Sequence, residues 1–585
     1  MGVVYSMVIR NGTIYDGTGS TPFDGDVAVA GGQIVAVGSI DESQIGSGTE
    51  VIDATDRIIT PGFVDAHTHY DGQITWDPYV QPSSFHGVTT IVTGNCGVGF
   101  APCQPDERDW LIGLMEGVED IPGTALHEGI QWDWETFPEY LDAIERCDLA
   151  IDVGTQIPHG AVRTFVMGRR GANHEVATPE EIAEMKRVVK EAIEAGALGF
   201  TTSRTEKHKD SSGVLTPSIT AFEDELIGIA EALGELDAGV LQGISDFYDF
   251  PAEFRMFRAM TEVSGRPTSI TVEQQDARPE WWKELLDAVT EAQNDGLPMR
   301  GQVPPRATGV LLGLTATLNP FSFHPSYRRL HPMPLEERLA EMHKPEVRKA
   351  LLDEQSSLTE GLAAEIISSW HKMFRLGDPA DYEPAPADYE PAPEDSFAAL
   401  AESSGFTPQE IAYDVLLEKD GKALIYHPLF NYLTGDLSLV QEMLEHPHTT
   451  FGLSDGGAHC GVISDASFPT TLIQHWGRDR TRGPKLPLET LVAMQTSETA
   501  GLVGLNDRGV IAPGYKADLN VIDFEHLTLH EPTVVYDLPA GGRRLVQRAS
   551  GYECTIVAGE VAFRNGDPTG VLNGRLVRGA QPAPS

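Results

Sequence analysis

Short runs of alternating apolar and polar residues open the chain and return near its end. Residues 4–62 contain YSMVIRNGTIYDG, DVAVAGGQIVAVG and TEVIDATDRIITPG, with Asn-Gly and Gly-Gly pairs that are typical of hairpin turns. The C-terminal part repeats this pattern in KADLNVIDFE, TIVAGEVAFRNG and VLNGRLVRG. We expect residues 1–60 and 501–585 to form one small β-sandwich domain together.

Between these ends, apolar β-branched runs alternate with amphipathic, charged segments. Examples are TTIVTG, LAIDVGTQI, and TPEEIAEMKRVVKEAIEAG followed by ALGFTTS. Alternation of strands and helices implies a parallel sheet, and its repetition over residues 61–500 favours a barrel over an open doubly wound sheet. The predicted fold class is α/β, a (β/α)8 TIM-like barrel with insertions beside the β-sandwich.

The composition is that of a soluble globular protein with an acidic surface. The formal charge of -45 disfavours binding to nucleic acids or anionic lipids, and we interpret the acidity as solvated surface. No basic segment precedes an apolar run at the N-terminus, which predicts a cytoplasmic protein. Five sparse cysteines indicate reduced thiols rather than a disulfide framework. The expected partner is a small-molecule substrate, and a homo-oligomer is left open.

A perfect tandem of ADYEPAP occupies residues 380–386 and 387–393. Its proline density is typical of an extended surface loop. We interpret it as a local duplication and draw no function from it.

His67 and His69 end the apolar segment GFVDAHTH, directly after a Pro-Gly break. Residues i and i+2 of a strand point to the same face, and the carboxyl end of a barrel strand is where active sites lie. Two imidazoles placed there suit zinc or a similar divalent ion. The alternative, a pair of surface or core histidines, has less support in this setting.

Two further strand ends carry groups that could complete the site. Cys96 follows a β-branched run and is flanked by glycines in TGNCGVG, as a thiolate ligand would need, although a buried inert thiol is the alternative. Asp455 closes the strand TTFGLSDGG, where a carboxylate could bind metal and accept a proton from water. Its alternative is a helix-capping or turn aspartate.

The segments PGFVDAHTH, GNCGVG, GALGFTTS, NPF, GLSDGGAH and APGYKADLNVID together resemble the amidohydrolase superfamily, and within it the N-acyl-D-amino-acid deacylase (D-aminoacylase) family. This resemblance covers nearly the whole chain and implies a (β/α)8 barrel beside a β-sandwich built from both chain ends. It also implies that His67 and His69 are metal ligands, that Cys96 is the family's metal-bridging cysteine, and that Asp455 binds metal and shuttles protons.

The chain departs from the family pattern at the second half of the metal centre. The family carries a histidine on each of the next two strands, whereas this chain has GVLQGISDF and TSITVEQQD. Gln242 stands near the first position, and Val272, Glu273 or Gln274 near the second. We therefore predict a divergent member with one divalent ion per chain, Zn²⁺ being the leading candidate, and leave a modified second site open.

Several loop residues are candidates for substrate contacts. Arg204, Lys207 and His208 belong to the basic loop FTTSRTEKHKDSSG, which replaces a tyrosine-containing loop of the family and could bind an anionic group or be a solvated loop. His159 and Arg163, in IPHGAVRTFVMG, match a similar pair in the family. His159 could donate to a reacting carbonyl, and Arg163 could hold a carboxylate or pair with a nearby acid.

The leading hypothesis is an enzyme that hydrolyses an amide bond of a small N-acyl, amino-acid-like substrate with metal-activated water. In it Asp455 accepts the proton of the water and returns it to the leaving nitrogen, with His159 supporting the oxyanion. The alternatives are ester or lactone hydrolysis, a lyase reaction such as decarboxylation on the same barrel, and a catalytically dead binding protein. His459 and His324 are further histidines without a specific role.

Overall fold

The computed structural model of the chain describes residues 4–377 and 387–585. Within this part of the chain, no helix is both long and apolar enough to cross a membrane. The first copy of the ADYEPAP tandem, 380–386, lies outside the described residues. The second copy is not the surface loop that we predicted, because the ring of Tyr389 covers the Arg306 guanidinium at 3.5 Å and Glu390, 4% exposed, pairs with Arg480.

Strands from both chain ends form one nine-stranded sheet. Ile58–Pro61 pairs in parallel with the first strand and antiparallel with Leu519–Ile522, so N-terminal and C-terminal strands meet in its middle. Its apolar side chains form a separate core. The strands are Met7–Ile14, Phe23–Ala30, Gln33–Gly38, Glu50–Asp53, Ile58–Pro61, Leu519–Ile522, Tyr552–Val557, Glu560–Arg564 and Asp567–Pro568.

Parallel pairing runs through the central part of the chain. A three-stranded and a six-stranded sheet contain Phe63–Asp65, Val88–Thr93, Asp152–Thr155, Ile157–Pro158, Gly199–Arg204, Val240–Ser245, Thr268–Thr271, Met299–Val303 and Thr449–Phe451. A parallel bridge between Thr68 and Gly456 brings the continuation of the last strand back beside the first. The α/β class is confirmed, and the carboxyl ends of these strands converge.

Helices connect these strands and cover them. The helix Pro179–Ala195 shows why such segments start and stop where they do, since Thr178 and Glu181 form a capping box and Gly196 ends it in the left-handed conformation. The strand Val88–Thr93, VTTIVT, is buried along its whole length, as expected of a strand covered on both faces. Helices of this part include Arg108–Glu119, Gly123–Gly129, Phe137–Glu145, His159–Met167, Arg169–Ala172, Glu223–Leu236, Phe250–Ser264 and Trp281–Asn294.

A long insertion, residues 304–448, separates the last two parallel strands. Its described part has its own apolar core and a small antiparallel sheet of Gly309–Leu312, Phe374–Arg375 and Ile425–Pro428. Its helices are Pro325–Leu330, Leu335–Met342, Pro345–Asp353, Leu362–Ser368, Phe397–Ser404, Pro408–Gly421 and Ser438–Leu444. After the last strand follow the helices Phe468–Gln474, Leu488–Met494 and Ser497–Leu502. Then come a hairpin of Thr533–Leu538 with Gly542–Val546 and, flanking it in the chain, the antiparallel pair Thr528–Leu529 and Ala549–Ser550.

Candidate metal centre and active site

Three strand ends bring the predicted donor groups together. The side chains of His67, His69 and Cys96 are buried and offer donor atoms that all lie within 4.8 Å of one another. His67 Nε2 is 3.2 Å from Cys96 Sγ and 3.3 Å from Asp455 Oδ1. His69 Nε2 lies 3.5 Å from the same Asp455 oxygen. Side chains remote in sequence thus converge in the arrangement that the motifs predicted.

The outer nitrogen of each histidine faces an oxygen acceptor. His67 Nδ1 donates to Gln302 Oε1 at 2.7 Å, and Gln302 Nε2 donates to Ser269 Oγ at 2.9 Å. His69 Nδ1 lies 3.3 Å from Glu119 Oε1. A proton on Nδ1 leaves Nε2 as a lone-pair donor, so these partners favour the tautomer in which Nε2 could bind a metal.

The charges at this cluster fit a cation. Asp455 Oδ1 has no hydrogen-bond partner among the described residues, although it is buried beside two imidazole nitrogens. Burial raises the pKa of the Cys96 thiol to about 12 against the opposing effect of His69. Electron-pair donors facing one another in a dry site repel unless a positive charge lies among them, and imidazole, thiolate and carboxylate are the ligands that zinc prefers. His67, His69, Cys96 and Asp455 therefore suit a divalent metal ion.

The titration behaviour of the neighbouring acids has the same origin. Burial tends to raise the pKa of Asp455, but its close approach to His69 and the charges of His67, His69 and His459 lower it to about 2. Burial also raises the pKa of Glu119, to about 7, with His69 opposing. Burial lowers the pKa of His69, but Glu119, Asp455 and Cys96 outweigh it and raise that pKa well above its usual value.

Left-handed backbone conformations occur at the two turns that present these groups. Cys96 has φ of 54° and Asp455 has φ of 47°, values that cost a non-glycine residue roughly 1–3 kcal/mol each. The Cys96 amide donates to Gln242 Oε1 at 3.0 Å, and this contact secures the cysteine turn. Gln242 thus occupies the expected strand position, and its side-chain carbonyl oxygen accepts a hydrogen bond from the backbone of Cys96.

A cavity of about 250 Å³ opens beside the donor groups and includes part of the predicted basic loop. Lys207 and His208 line it, together with His459. Lys207 Nζ lies 3.7 Å from Asp246 Oδ1 and 4.7 Å from the ring centroid of Phe430. Burial and, second, the charge of His69 lower the pKa of His208 to about 3, so this ring is neutral at pH 7.

Three other predicted residues are not brought to the cavity. His159 is fully buried, with Nδ1 on Thr202 and Nε2 2.8 Å from Glu225 Oε1, and Arg163 donates to the same carboxylate at 2.7 Å. Arg204 pairs with Glu253. Because these polar groups are used inside the fold, we correct the hypotheses of a catalytic His159 and of substrate-binding Arg163 and Arg204 to structural contacts. His324 likewise lies outside this cavity, in the insertion, with Nδ1 on a backbone carbonyl.

Sequence reasoning missed Glu119 and Gln302 and left Glu273 among several candidates. Glu119 ends the helix Arg108–Glu119, where no motif marks it. Gln302 is a polar residue inside the buried strand Met299–Val303, and that irregularity was the available signal. Glu273 lines the cavity just beyond the strand Thr268–Thr271, and Thr308 Oγ1 donates to it at 3.0 Å.

Known proteins are similar to this chain in sequence and in fold. The N-acyl-D-aspartate deacylase of Alcaligenes xylosoxydans xylosoxydans is 25% identical over 575 residues, covering 96% of this chain and 93% of that protein. Two solved structures are similar, each over 98% of this chain with a TM-score of 0.64. One is a D-aminoacylase with a binuclear metal centre, which is 22% identical, and the match covers 100% of that protein. The other is N-acyl-D-glutamate deacylase from Bordetella bronchiseptica with zinc and a phosphonate inhibitor, 20% identical and 99% covered.

These likenesses agree with the motifs from which the family was predicted. At this level of identity the solved structures establish a common fold rather than a common substrate. The family model described as "Amidohydrolase family" matches residues 50–563, which include all four donor residues and both turns that present them. The prediction from the motifs is confirmed, and the chain belongs to the amidohydrolase family.

Proposed function

We propose that the protein is a metal-dependent hydrolase that cleaves the amide bond of a small N-acyl, amino-acid-like substrate. The observation that carries this proposal is the cluster of His67, His69, Cys96 and Asp455, which lines the cavity and in which Asp455 Oδ1 has no hydrogen-bond partner in the described part of the chain. Relatives named as deacylases of N-acyl-D-amino acids support the amide as the bond that is cleaved. A carboxylate that lies beside metal-binding groups and reaches the cavity is suited to acid–base chemistry on such a bond.

We propose that one divalent ion, Zn²⁺ in the first instance, is held by His67, His69, Cys96 and Asp455. When bound, such an ion polarises the substrate carbonyl and makes water more acidic. Gln242 supports a single ion, because its Oε1 accepts a hydrogen bond from the Cys96 amide and is therefore not directed at a second metal. The D-aminoacylase of known structure has a binuclear centre with one-metal activation, which is compatible with a working mononuclear site.

Asp455 is the proposed proton carrier. Its pKa of about 2 keeps it ionised at neutral pH, as a general base requires. Oδ1 faces the two histidines, whereas Oδ2 lies 3.8 Å from His459 Nε2 at the cavity wall. We propose that Asp455 accepts a proton from the attacking water and delivers it to the leaving nitrogen. His459 replaces His159 in our scheme as the imidazole on the cavity side.

We also propose that the parallel strands close into a (β/α)8 barrel spanning residues 61–500, with residues 1–60 and 501–585 forming a small β-sandwich. The bridge between Thr68 and Gly456 supports closure, because it joins the first and last strands of the parallel series. The nine-stranded sheet supports a domain built from both ends. In such a barrel, the site would lie at the C-terminal face, where barrel enzymes carry their chemistry.

Metal content and a substrate panel test the proposal together. We expect one zinc per chain after purification with Zn²⁺, measured by plasma mass spectrometry. A ratio near two would overturn the single-ion part, and no bound metal would overturn the whole. The panel contains N-acetyl-D- and L-amino acids, cyclic amides, esters, lactones and aromatic carboxylic acids. Amide hydrolysis is expected, whereas ester cleavage or decarboxylation alone would favour those alternatives.

Asp455→Ala provides the specific control for catalysis. This variant should lose turnover, by at least roughly 100-fold as expected for removal of a general base, while keeping much of its metal. Asp109→Ala removes an exposed carboxylate, 92% accessible, that is not among the residues lining the cavity, and should behave like the wild type. A fully active Asp455→Ala protein would contradict the assigned role.

A further inference from the structure

The cavity beside the metal-binding groups has an apolar wall and a polar wall. Six of its apolar lining residues come from the insertion, namely Val310, Leu318, Leu362, Ile366, Leu429 and Phe430. The charged side chains away from the donor cluster are Lys207 and Glu273, which follow two strands of the parallel sheet. This polar wall therefore carries charges of both signs.

Lys207 supplies the positive charge. Among the described residues that line this cavity, it is the single lysine or arginine. Its neighbour Asp246 already accepts from Thr205 Oγ1 at 2.8 Å and from the Glu206 amide at 2.7 Å. At 3.7 Å from that carboxylate and with its side chain 29% exposed, the ammonium keeps donors for a substrate group.

Glu273 places a carboxylate in the same cavity. Oε1 accepts from the Thr308 hydroxyl at 3.0 Å, and burial raises the pKa of Glu273 above its usual value although Lys207 and this hydrogen bond oppose the rise. The charge of a bound divalent ion is matched by the Cys96 thiolate and Asp455, so it does not cancel Glu273. The single positive charge of Lys207 thus faces two negative charges, those of Glu273 and of Asp246, the neighbour of Lys207. An anion that enters near Glu273 is therefore repelled in this region of low dielectric.

We propose that Glu273 determines substrate specificity by rejecting a second carboxylate. The substrate class is then an N-acyl amino acid whose single carboxylate lies near Lys207 and whose side chain is neutral, apolar or a hydrogen-bond donor. This inference rests on the proposed amide hydrolysis and deepens it. It separates this chain from relatives named for N-acyl-D-aspartate and N-acyl-D-glutamate. A like charge in a desolvated site disfavours the wrong ligand more than a neutral mismatch does.

N-acetyl-D-glutamine and N-acetyl-D-glutamate test this inference, because they have nearly the same shape and differ in side-chain charge. For the zinc-loaded protein we expect kcat/KM to be at least about tenfold lower for the glutamate compound. Glu273→Gln should reduce that ratio by at least about tenfold. Glu280→Gln removes the same charge at an exposed position, 75% accessible, after the same strand and should leave the ratio unchanged.

Calorimetry separates this inference from the proposed function. Binding of the methanesulfonamide analogues of both compounds, which resist hydrolysis, is measured on the zinc-loaded protein with and without Glu273→Gln, so that turnover is not required and Asp455 keeps its charge. A preference for the glutamine compound that disappears with Glu273→Gln supports the inference. Failure of the wild type to hydrolyse either compound would overturn the proposed function but not this inference. Equal affinities, a preference unaffected by Glu273→Gln, or no binding of either compound would overturn the inference.

Discussion

Replacement of Gln302 by leucine tests whether the protein tunes its metal site through the outer nitrogen of His67. The Nδ1 to Oε1 distance is 2.7 Å and His67 is fully buried, so water cannot replace the lost acceptor. An unpaired buried N–H costs about 1–3 kcal/mol. Removal of such a partner from a ligating histidine typically weakens metal binding about 10- to 100-fold, or about 1.4–2.7 kcal/mol. The two estimates agree, and we expect Zn²⁺ affinity to fall by that factor.

Competition with a chromophoric zinc chelator measures this affinity directly. Gln302→Glu keeps an acceptor beside Nδ1 and should bind zinc at least as well as the wild type, because a carboxylate is a stronger partner for the imidazole N–H. Gln33→Leu, at an exposed strand position, is the control for the substitution itself. Wild-type zinc affinity in Gln302→Leu would refute the argument that this hydrogen bond orients His67.

Two further predictions concern stability. Burial lowers the pKa of His86 to about 3, so the unfolded chain takes up a proton below pH about 6.5 that the folded chain excludes. The free energy of unfolding should therefore fall as the pH is lowered from about 6.5 toward about 3, by up to about 1.4 kcal/mol per pH unit for this group. His86→Gln should make the urea midpoint depend less on pH, and an unchanged pH dependence of that midpoint would contradict this prediction. Arg508→Met leaves the fully buried Asp152 with Lys516 as its one remaining ionic partner among the residues that the structure describes, and should destabilise the protein by about 3 kcal/mol. Scanning calorimetry at one scan rate should show a clear fall in melting temperature, whereas an unchanged transition would refute it.

Local sequence was sufficient to identify the candidate donor residues. His67 and His69 share a strand end, so their spacing alone places both rings on one side. Asp455 follows the last strand, and Gly457 makes the turn possible with φ of 91°, where the Cβ of any other residue would lie only 2.8 Å from the Tyr70 ring. Such features depend on neighbours in the chain, which is why the motifs revealed them.

The roles of polar side chains around the site could not be read in the same way. Arg163 and His159 looked like pocket residues, but both are bound to Glu225, 62 and 66 residues further along the chain. Lys207, from the same basic segment as Arg204, does reach the cavity. Whether a charged side chain meets a buried acid or faces solvent depends on packing between distant segments.

The sequence by itself therefore determined the family and the alternation of strands and helices, and it predicted the candidate donor groups, because each depends on local spacing. Only the tertiary structure decided the partners of those groups. The hydrogen bond from His67 to Gln302 spans 235 positions, and the contact of Cys96 with Gln242 spans 146. Burial makes each such partner energetically decisive, and folding alone selects which polar atoms become neighbours.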